Sequence, residues 1–134
     1  MTVDAFFYGL YMDDAVLRAL GVVPRAPRRA RADGYALKIG KRATLVKTPG
    51  GVAWGMVYAL TSDELVKLYS ATGIELYRPE LIEVALENRA IIPVRVYNLP
   101  QAPASDERNP EYVEKLKAAL TRLGFPADYV ARIA

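Results

Sequence analysis

The chain has 134 residues, of which 52% are hydrophobic, and a formal net charge of +3, which fits one soluble globular domain over residues 1–134 with a core of its own. Cysteine and histidine are both missing, so disulfides, Ser-His-Asp and Cys-His catalysis, iron–sulfur clusters and nearly every zinc site are excluded. No apolar run approaches the roughly 20 residues of a membrane span, and the first residues lack the order of a signal peptide, so a cytoplasmic protein with no membrane partner is expected.

Val3–Tyr8 reads as a strand. It belongs to the aromatic run Phe6-Phe7-Tyr8-Gly9-Leu10-Tyr11-Met12, which Asp13-Asp14 follows at once as a helix start. A strand that turns through glycine into a helix N-terminus leaves backbone N–H groups aimed at one point, which suits an anion or a small carboxylate. The same residues also read as a buried first strand in which Gly9 is only a bend. The helix expected over Asp13–Leu20 has Val16, Leu17 and Leu20 on one face and Gly21 as its stop. Pro24–Asp33 reads as a loop; its Arg25, Arg28, Arg29 and Arg31 have no interleaved aromatic residues for base stacking, so a solvated connector is expected and nucleic acid is not.

Gly34–Ile39 and Ala43–Lys47 alternate as two strands joined at Gly40-Lys41-Arg42, and Thr48-Pro49-Gly50-Gly51 is a turn signal. Val52–Leu60 is apolar on both faces and reads as a central strand, with Gly55 marking a bend or a close backbone approach. Thr61-Ser62-Asp63-Glu64 is a capping box, and the helix after it turns Leu65, Leu68 and Tyr69 inward and ends at Gly73. Tyr77–Glu87 and Ala90–Tyr97 read as strands around a tight turn at Asn88-Arg89, and Pro93 places the second at an edge or a bulge. Leu99–Arg108 is an aperiodic linker. Asn109 caps a helix with Pro110 at its first position and Tyr112, Val113, Leu116, Leu120 and Leu123 at helical spacing; Gly124 stops it, Pro126 lies beyond, and Asp128–Ile133 adds a last turn or two. Hairpin-joined strands with helices between them favour an α+β fold, a small mixed, curled sheet or barrel with helices packed outside. Acid–base chemistry falls to Asp, Glu, Lys or Tyr, and no Asp-x-Asp-x-Asp loop offers a metal site, so neither cofactor nor metal is expected.

Tyr8-Gly9 at the end of the first strand, the Gly55-Met56-Val57-Tyr58-Ala59-Leu60 strand, Leu68–Gly73 followed by Tyr77-Arg78 and Val84, and the tail blocks Asn109-Pro110-Glu111-Tyr112 and Leu123-Gly124-Phe125-Pro126 with Tyr129 stand in a familiar order. In this order the chain resembles the γ-glutamylcyclotransferase-like, or AIG2-like, family. The resemblance implies that family's fold and a metal-free reaction. A γ-glutamyl amide closes on itself, its α-amine attacking the side-chain carbonyl to give 5-oxoproline and a free amine. By this resemblance Tyr8, Gly9, Leu10 and Tyr11 would cradle the substrate carboxylate and Tyr77 would close the side of the pocket.

The chain departs from the family at the catalytic glutamate, which precedes the glycine matched by Gly73; Thr72 stands there. Tyr69 replaces an aspartate of the same block, and Leu10-Tyr11 replaces small polar residues, which makes the pocket narrower and more apolar. A threonine hydroxyl without a neighbouring base accepts no proton near neutral pH, and loss of a positioned base costs about two to four orders of magnitude in rate. Glu75, Glu80, Glu83 and Glu87 are the carboxylates that could substitute, with Glu83 and Glu87 on one face of their strand and Glu80 on the other. Three readings stand at this point. They are a binding protein for a γ-glutamyl or other small carboxylate or amide ligand, with Thr72 among its binding residues; an active cyclotransferase with a relocated carboxylate; and a protein-interaction module using the Tyr11-Met12 rim and the arginines. Oligomeric state is not legible.

Overall fold

Five strands, β1 (Thr2–Phe7), β2 (Arg25–Ile39), β3 (Ala43–Thr61), β4 (Arg78–Leu86) and β5 (Ile91–Asn98), close into a barrel in the order β1-β3-β2-β4-β5. The architecture is that of a computed structural model, which describes residues 1–70 and 76–134. Outside the barrel lie α1 (Asp14–Ala19), α2 (Ser62–Leu68), α3 (Pro110–Arg122) and α4 (Ala127–Ala131). Among the described residues, no helix is long and apolar enough to cross a membrane.

Strand alternation sorts the apolar residues into two cores. Phe6 and Tyr8 fill one face together with Ala30, Ala32, Val57, Val84, Val94 and Val96, from the other four strands. The residues that alternate with them, Ala5 and Phe7, join Met56, Tyr58 and Leu60 against Leu17, Leu65, Leu68, Leu116 and Leu120 of the helices. Successive side chains of a strand point to opposite faces, so β1 and β3 must be apolar on both sides: one faces the lumen, the other the helical layer. β3 is central as expected, antiparallel to β1 (Phe7↔Met56 to Thr2↔Thr61) and to β2. β4 and β5 form the expected hairpin, with Arg89 at φ 71° in the turn. The barrel closes between β1 and β5 at the parallel pair Ala5↔Arg95. Pro93, two residues earlier, pairs with Glu83 of β4, so its missing N–H falls where β5 needs no second ladder.

Two sequence expectations are corrected. Residues 24–33 are not a loop: Arg25–Asp33 is the first half of β2, paired along β3. The inward residues of this half are Ala30 and Ala32, both fully buried, and alanine against arginine gives too weak an apolar alternation to read as a strand. Pro27 sits in a bulge between Arg25 and Arg28 where Ala26 takes φ 51°, which removes the objection to proline in a strand. Each of the four arginines meets a carboxylate: Arg25 meets Glu64, Arg28 meets Asp4, Arg29 meets Glu87 and Arg31 meets Asp33. The turn signal Thr48-Pro49-Gly50-Gly51 does not reverse the chain either. It is an excursion within β3, between the pairs Tyr35↔Lys47 and Asp33↔Val52, opposite Gly34. Gly50 and Gly34 both take positive φ there, 76° and 86°, so the turn chemistry is met locally while distant pairing carries the strand onward.

The capping box is present: Thr61 Oγ1 accepts the Glu64 N–H at 3.1 Å, and Glu64 Oε1 accepts the Thr61 N–H at 2.8 Å. Glu64 also accepts from Arg25 at 2.8 Å and from the Val23 N–H at 2.9 Å. Desolvation works against its charge, but the Arg25 guanidinium and these two N–H groups outweigh it and hold the carboxyl down to about 2, from an ordinary 4.5. A carboxyl lowered by folding stabilises the native state fully above its unfolded value and loses that contribution as pH falls toward the folded one. The thermal midpoint should therefore drop between about pH 5 and about pH 3, and Glu64→Gln should be less stable at neutral pH yet lose less over that interval. Equal acid sensitivity in the two proteins would refute the assignment.

Candidate functional site

The aromatic run at the end of β1 opens onto a cavity of about 290 Å³ lined by Phe6, Phe7, Tyr8, Gly9, Leu10, Tyr11, Val16, Lys41, Arg42, Ala43, Tyr69, Tyr77 and Tyr112. Its size is at the lower end of the roughly 300–1,000 Å³ usual for small-molecule sites, so it suits something of dipeptide size. After β1 the chain does not enter a helix directly. Leu10–Met12 form a 3₁₀ turn, closed by the Met12 and Asp13 N–H groups on the Gly9 and Leu10 carbonyls, and Asp13 then caps α1 through the Ala15 N–H at 3.0 Å.

Gly9 is explained by space. Its φ is −114°, open to any residue, but a Cβ there would collide with the Tyr112 hydroxyl. That hydroxyl, on the first turn of α3, accepts the Leu10 N–H at 3.2 Å. One N–H of the sequence-derived cradle is thus already answered by protein, while those of Gly9 and Tyr11 have no acceptor among the described residues.

The phenols are positioned from several elements. Tyr8 donates to the Tyr97 carbonyl at 2.7 Å, Tyr11 to the Leu68 carbonyl at 3.3 Å and Tyr77 to the Ala43 carbonyl at 2.5 Å. Tyr69, one residue past α2, stacks on Tyr97 with ring centres 3.9 Å apart and meets Tyr11 and Tyr77 at 5.8 and 5.9 Å. Among the described residues no acceptor takes the hydroxyl protons of Tyr69 or Tyr112. Burial pushes the Tyr8 and Tyr69 phenols well up from their ordinary value, with facing phenols adding to it; burial also raises Tyr11, Tyr77 and Tyr112. All five stay protonated near neutral pH and act as donors, not bases.

Lys41 and Arg42 come from the turn between β2 and β3, and α3 holds that turn in place. Asn109 caps α3 by accepting the Tyr112 N–H at 3.2 Å and donates from its own amide to the Lys41 carbonyl at 3.1 Å. One side chain therefore sets both the tyrosine at Gly9 and the basic pair across from it. Glu107 adds a second tie, accepting the Lys41 and Ala104 N–H groups at 3.1 and 2.9 Å, which hold its carboxyl below the ordinary range.

Of the residues singled out from sequence, Tyr8, Gly9, Leu10, Tyr11 and Tyr77 are brought to this one cavity. Thr72 lies outside the described residues, as do Gly73 and Glu75. None of the other candidate carboxylates lines the cavity. Glu80 accepts from the buried Asn98 amide at 2.5 Å, Glu87 pairs with Arg29, and Glu83 is exposed on the outer face of β4. Sequence reasoning missed Lys41 and Arg42, whose hairpin read only as a connection, and it missed Tyr69 and Tyr112 as cavity residues. The available signal was compositional: nine tyrosines against three phenylalanines is a surplus of hydroxyls that an ordinary core does not need.

A family model described as "Gamma-glutamyl cyclotransferase, AIG2-like" matches residues 5–116. No curated protein sequence matches the chain. Among solved structures, one named as a γ-glutamyl cyclotransferase superposes with a TM-score of 0.83 at 19% identity, covering 99% of this chain and 86% of the other. An uncharacterized protein from Homo sapiens gives 0.81 at 20% identity, covering 98% and 86%. A yeast γ-glutamyl cyclotransferase described as specific to glutathione gives 0.67 at 14% identity, covering 98% and 93%. At these identities the superpositions establish the fold: a closed barrel with external helices shared across the set.

Proposed function

The chain belongs to the γ-glutamyl cyclotransferase, AIG2-like family, and from that membership we propose that it binds a γ-glutamyl compound or a similar small carboxylate or amide in the tyrosine-lined cavity without turning it over at ordinary enzymatic rates. The observation that supports this reading is the donor character of the cavity's few polar groups. Its open polar groups are the Gly9 and Tyr11 N–H groups, the Tyr69 and Tyr112 hydroxyl protons and the Lys41 and Arg42 cations, and no carboxylate lines it among the described residues. The wall is mostly apolar and aromatic, and the few polar groups set into it, donors and cations among the described residues, suit a ligand that brings acceptors, a carboxylate or an amide carbonyl. The presence of a cavity beside Gly9 also favours a bound ligand over a surface that serves only as a protein interface.

Ring closure asks more of a site than binding. The substrate's α-nitrogen forms a bond to the γ-carbonyl carbon, the amide C–N bond breaks, and a proton leaves the attacking nitrogen and reaches the departing one. The raised phenols can steady the carbonyl oxygen but cannot take that proton, and Thr72 occupies the family position of the glutamate that would. The purified protein should therefore bind γ-glutamylalanine by calorimetry and release 5-oxoproline from it only at background. Turnover in the ordinary range of about 1–1,000 per second would overturn the reading and direct attention to a relocated carboxylate.

A further inference from the structure

We propose that the outer face of the β4–β5 hairpin is an interface between two copies of this chain, related by a two-fold axis that sets Glu83 of each against Arg95 of the other. The helical layer leaves this face bare. The strand residues buried in the helical core, Ala5, Phe7, Met56, Tyr58 and Leu60, all come from β1 and β3, and on β5 it is Tyr97, under Tyr69, that reaches the layer. On β4 and β5 the residues that alternate with the lumen-facing Ile82, Val84, Val94 and Val96 are Leu81, Glu83, Ala85, Ile91, Pro93 and Arg95. A sheet face left to water ordinarily carries polar residues. Here all but Glu83 and Arg95 are apolar, and Leu81 and Ile91 are 77% and 59% exposed.

The two charges indicate what covers the face. Among the half-buried arginines, Arg28, Arg29 and Arg31 pair with carboxylates and the charge of Arg42 acts on the Glu107 carboxyl. Arg95 is half-buried with neither an ion pair nor a side-chain hydrogen bond among the described residues, and the exposed Glu83 has none either. Leu81 stands opposite Arg95 and Glu83 opposite Pro93, so the four are corners of a rough square, with the charges on one diagonal and the apolar residues on the other. Two copies packed face to face about a two-fold axis along the Leu81–Pro93 diagonal bring each of those residues against its own counterpart and exchange the other two corners. Leu81 then meets Leu81 and Pro93 meets Pro93, while Glu83 and Arg95 form two symmetric ion pairs. The strands of the two copies cross at near right angles, one of the two ways in which sheets pack. An apolar partner, or one of a single charge, would leave Glu83 or Arg95 covered and unanswered, whereas a second copy answers both.

The test is sedimentation velocity on the whole chain. The face of two strands is small for an interface, so the dimer is weak, and the mass should rise toward twice the monomer's over about 1–300 µM protein. Glu83→Arg and Arg95→Glu each set like charges together at two symmetric points, so each should associate about 100-fold more weakly or worse and sediment as a monomer. An equimolar mixture of these two variants should regain wild-type association, because each supplies the charges that the other lacks, and that recovery shows both to be folded. Leu81→Arg, which lies on the axis and meets itself, should be monomeric at every concentration. A wild type that is monomeric throughout the range, a dimer that survives both charge reversals, or a mixture no more associated than its components would overturn the proposal.

Discussion

Gly55→Ala should destabilise the protein by about 3 kcal/mol, lowering the thermal midpoint by roughly 10–15 °C, because the new methyl group has no space to enter. In the middle of β3, a Cβ on Gly55 would run into the backbone carbonyl of Phe7 and lie 2.9 Å from two ring atoms of Phe6. The carbonyl belongs to the neighbouring strand and the ring to a fully buried side chain of that same strand, so neither gives way without moving β1. An alanine elsewhere in a strand usually gains about 0.5–1 kcal/mol over glycine, which makes the sign of this effect diagnostic. Gly34 is the control. It has φ 86° and nothing within 4 Å of a built Cβ, so Gly34→Ala should cost only about 1–2 kcal/mol of left-handed backbone strain. A wild-type midpoint in Gly55→Ala would mean that β1 and β3 do not approach as described, and the cavity at the end of β1 would be misplaced with them.

Thr72→Glu should raise 5-oxoproline release from γ-glutamylalanine by about 100-fold or more over the wild type, the usual contribution of one positioned general base. Every other requirement of ring closure is binding and orientation, and the proposed site supplies these through Gly9, Tyr11, the phenols and the basic pair. Thr72→Gln separates charge from shape: the amide has the size of glutamate but accepts no proton, so it should remain inert. A Thr72→Glu protein that folds and binds γ-glutamylalanine yet releases no 5-oxoproline would refute the match of residue 72 to the family's glutamate. The same variant tests the surrounding assignment from the other side, because activity could appear only if residue 72 faces the bound ligand.

The parts of the fold that could be read from sequence are those whose cause lies within a few residues. The Thr61–Glu64 capping box depends on two side chains and two N–H groups of a single turn. Asn109 followed by Pro110 starts α3 for the same kind of reason, and Gly124, at φ 81°, stops it. β1 and the middle of β3 announce themselves by being apolar on both faces, which a strand between two cores requires. The half of β2 that looked like a loop had no such local mark. Its strand character comes from β3, with partners 19 (Asp33↔Val52) to 34 (Arg25↔Ala59) positions further along the chain, whose ladder accepts the alanine positions and places a bulge at Pro27.

The candidate site divides along the same line. By itself the sequence determined the Tyr8-Gly9-Leu10-Tyr11 segment and the family pattern, because each is a matter of residue type and spacing along the chain. The tertiary structure decided that Tyr112 occupies the space over Gly9, that Tyr69, Tyr77 and Tyr112 share one cavity, and that Lys41 and Arg42 line it with them. These facts depend on five separate stretches meeting at one end of the barrel: the end of β1, the β2–β3 turn, the residue after α2, the residue before β4 and the first turn of α3. Asn109 helps to bring them together across 68 residues, and no spacing along the chain encodes that distance.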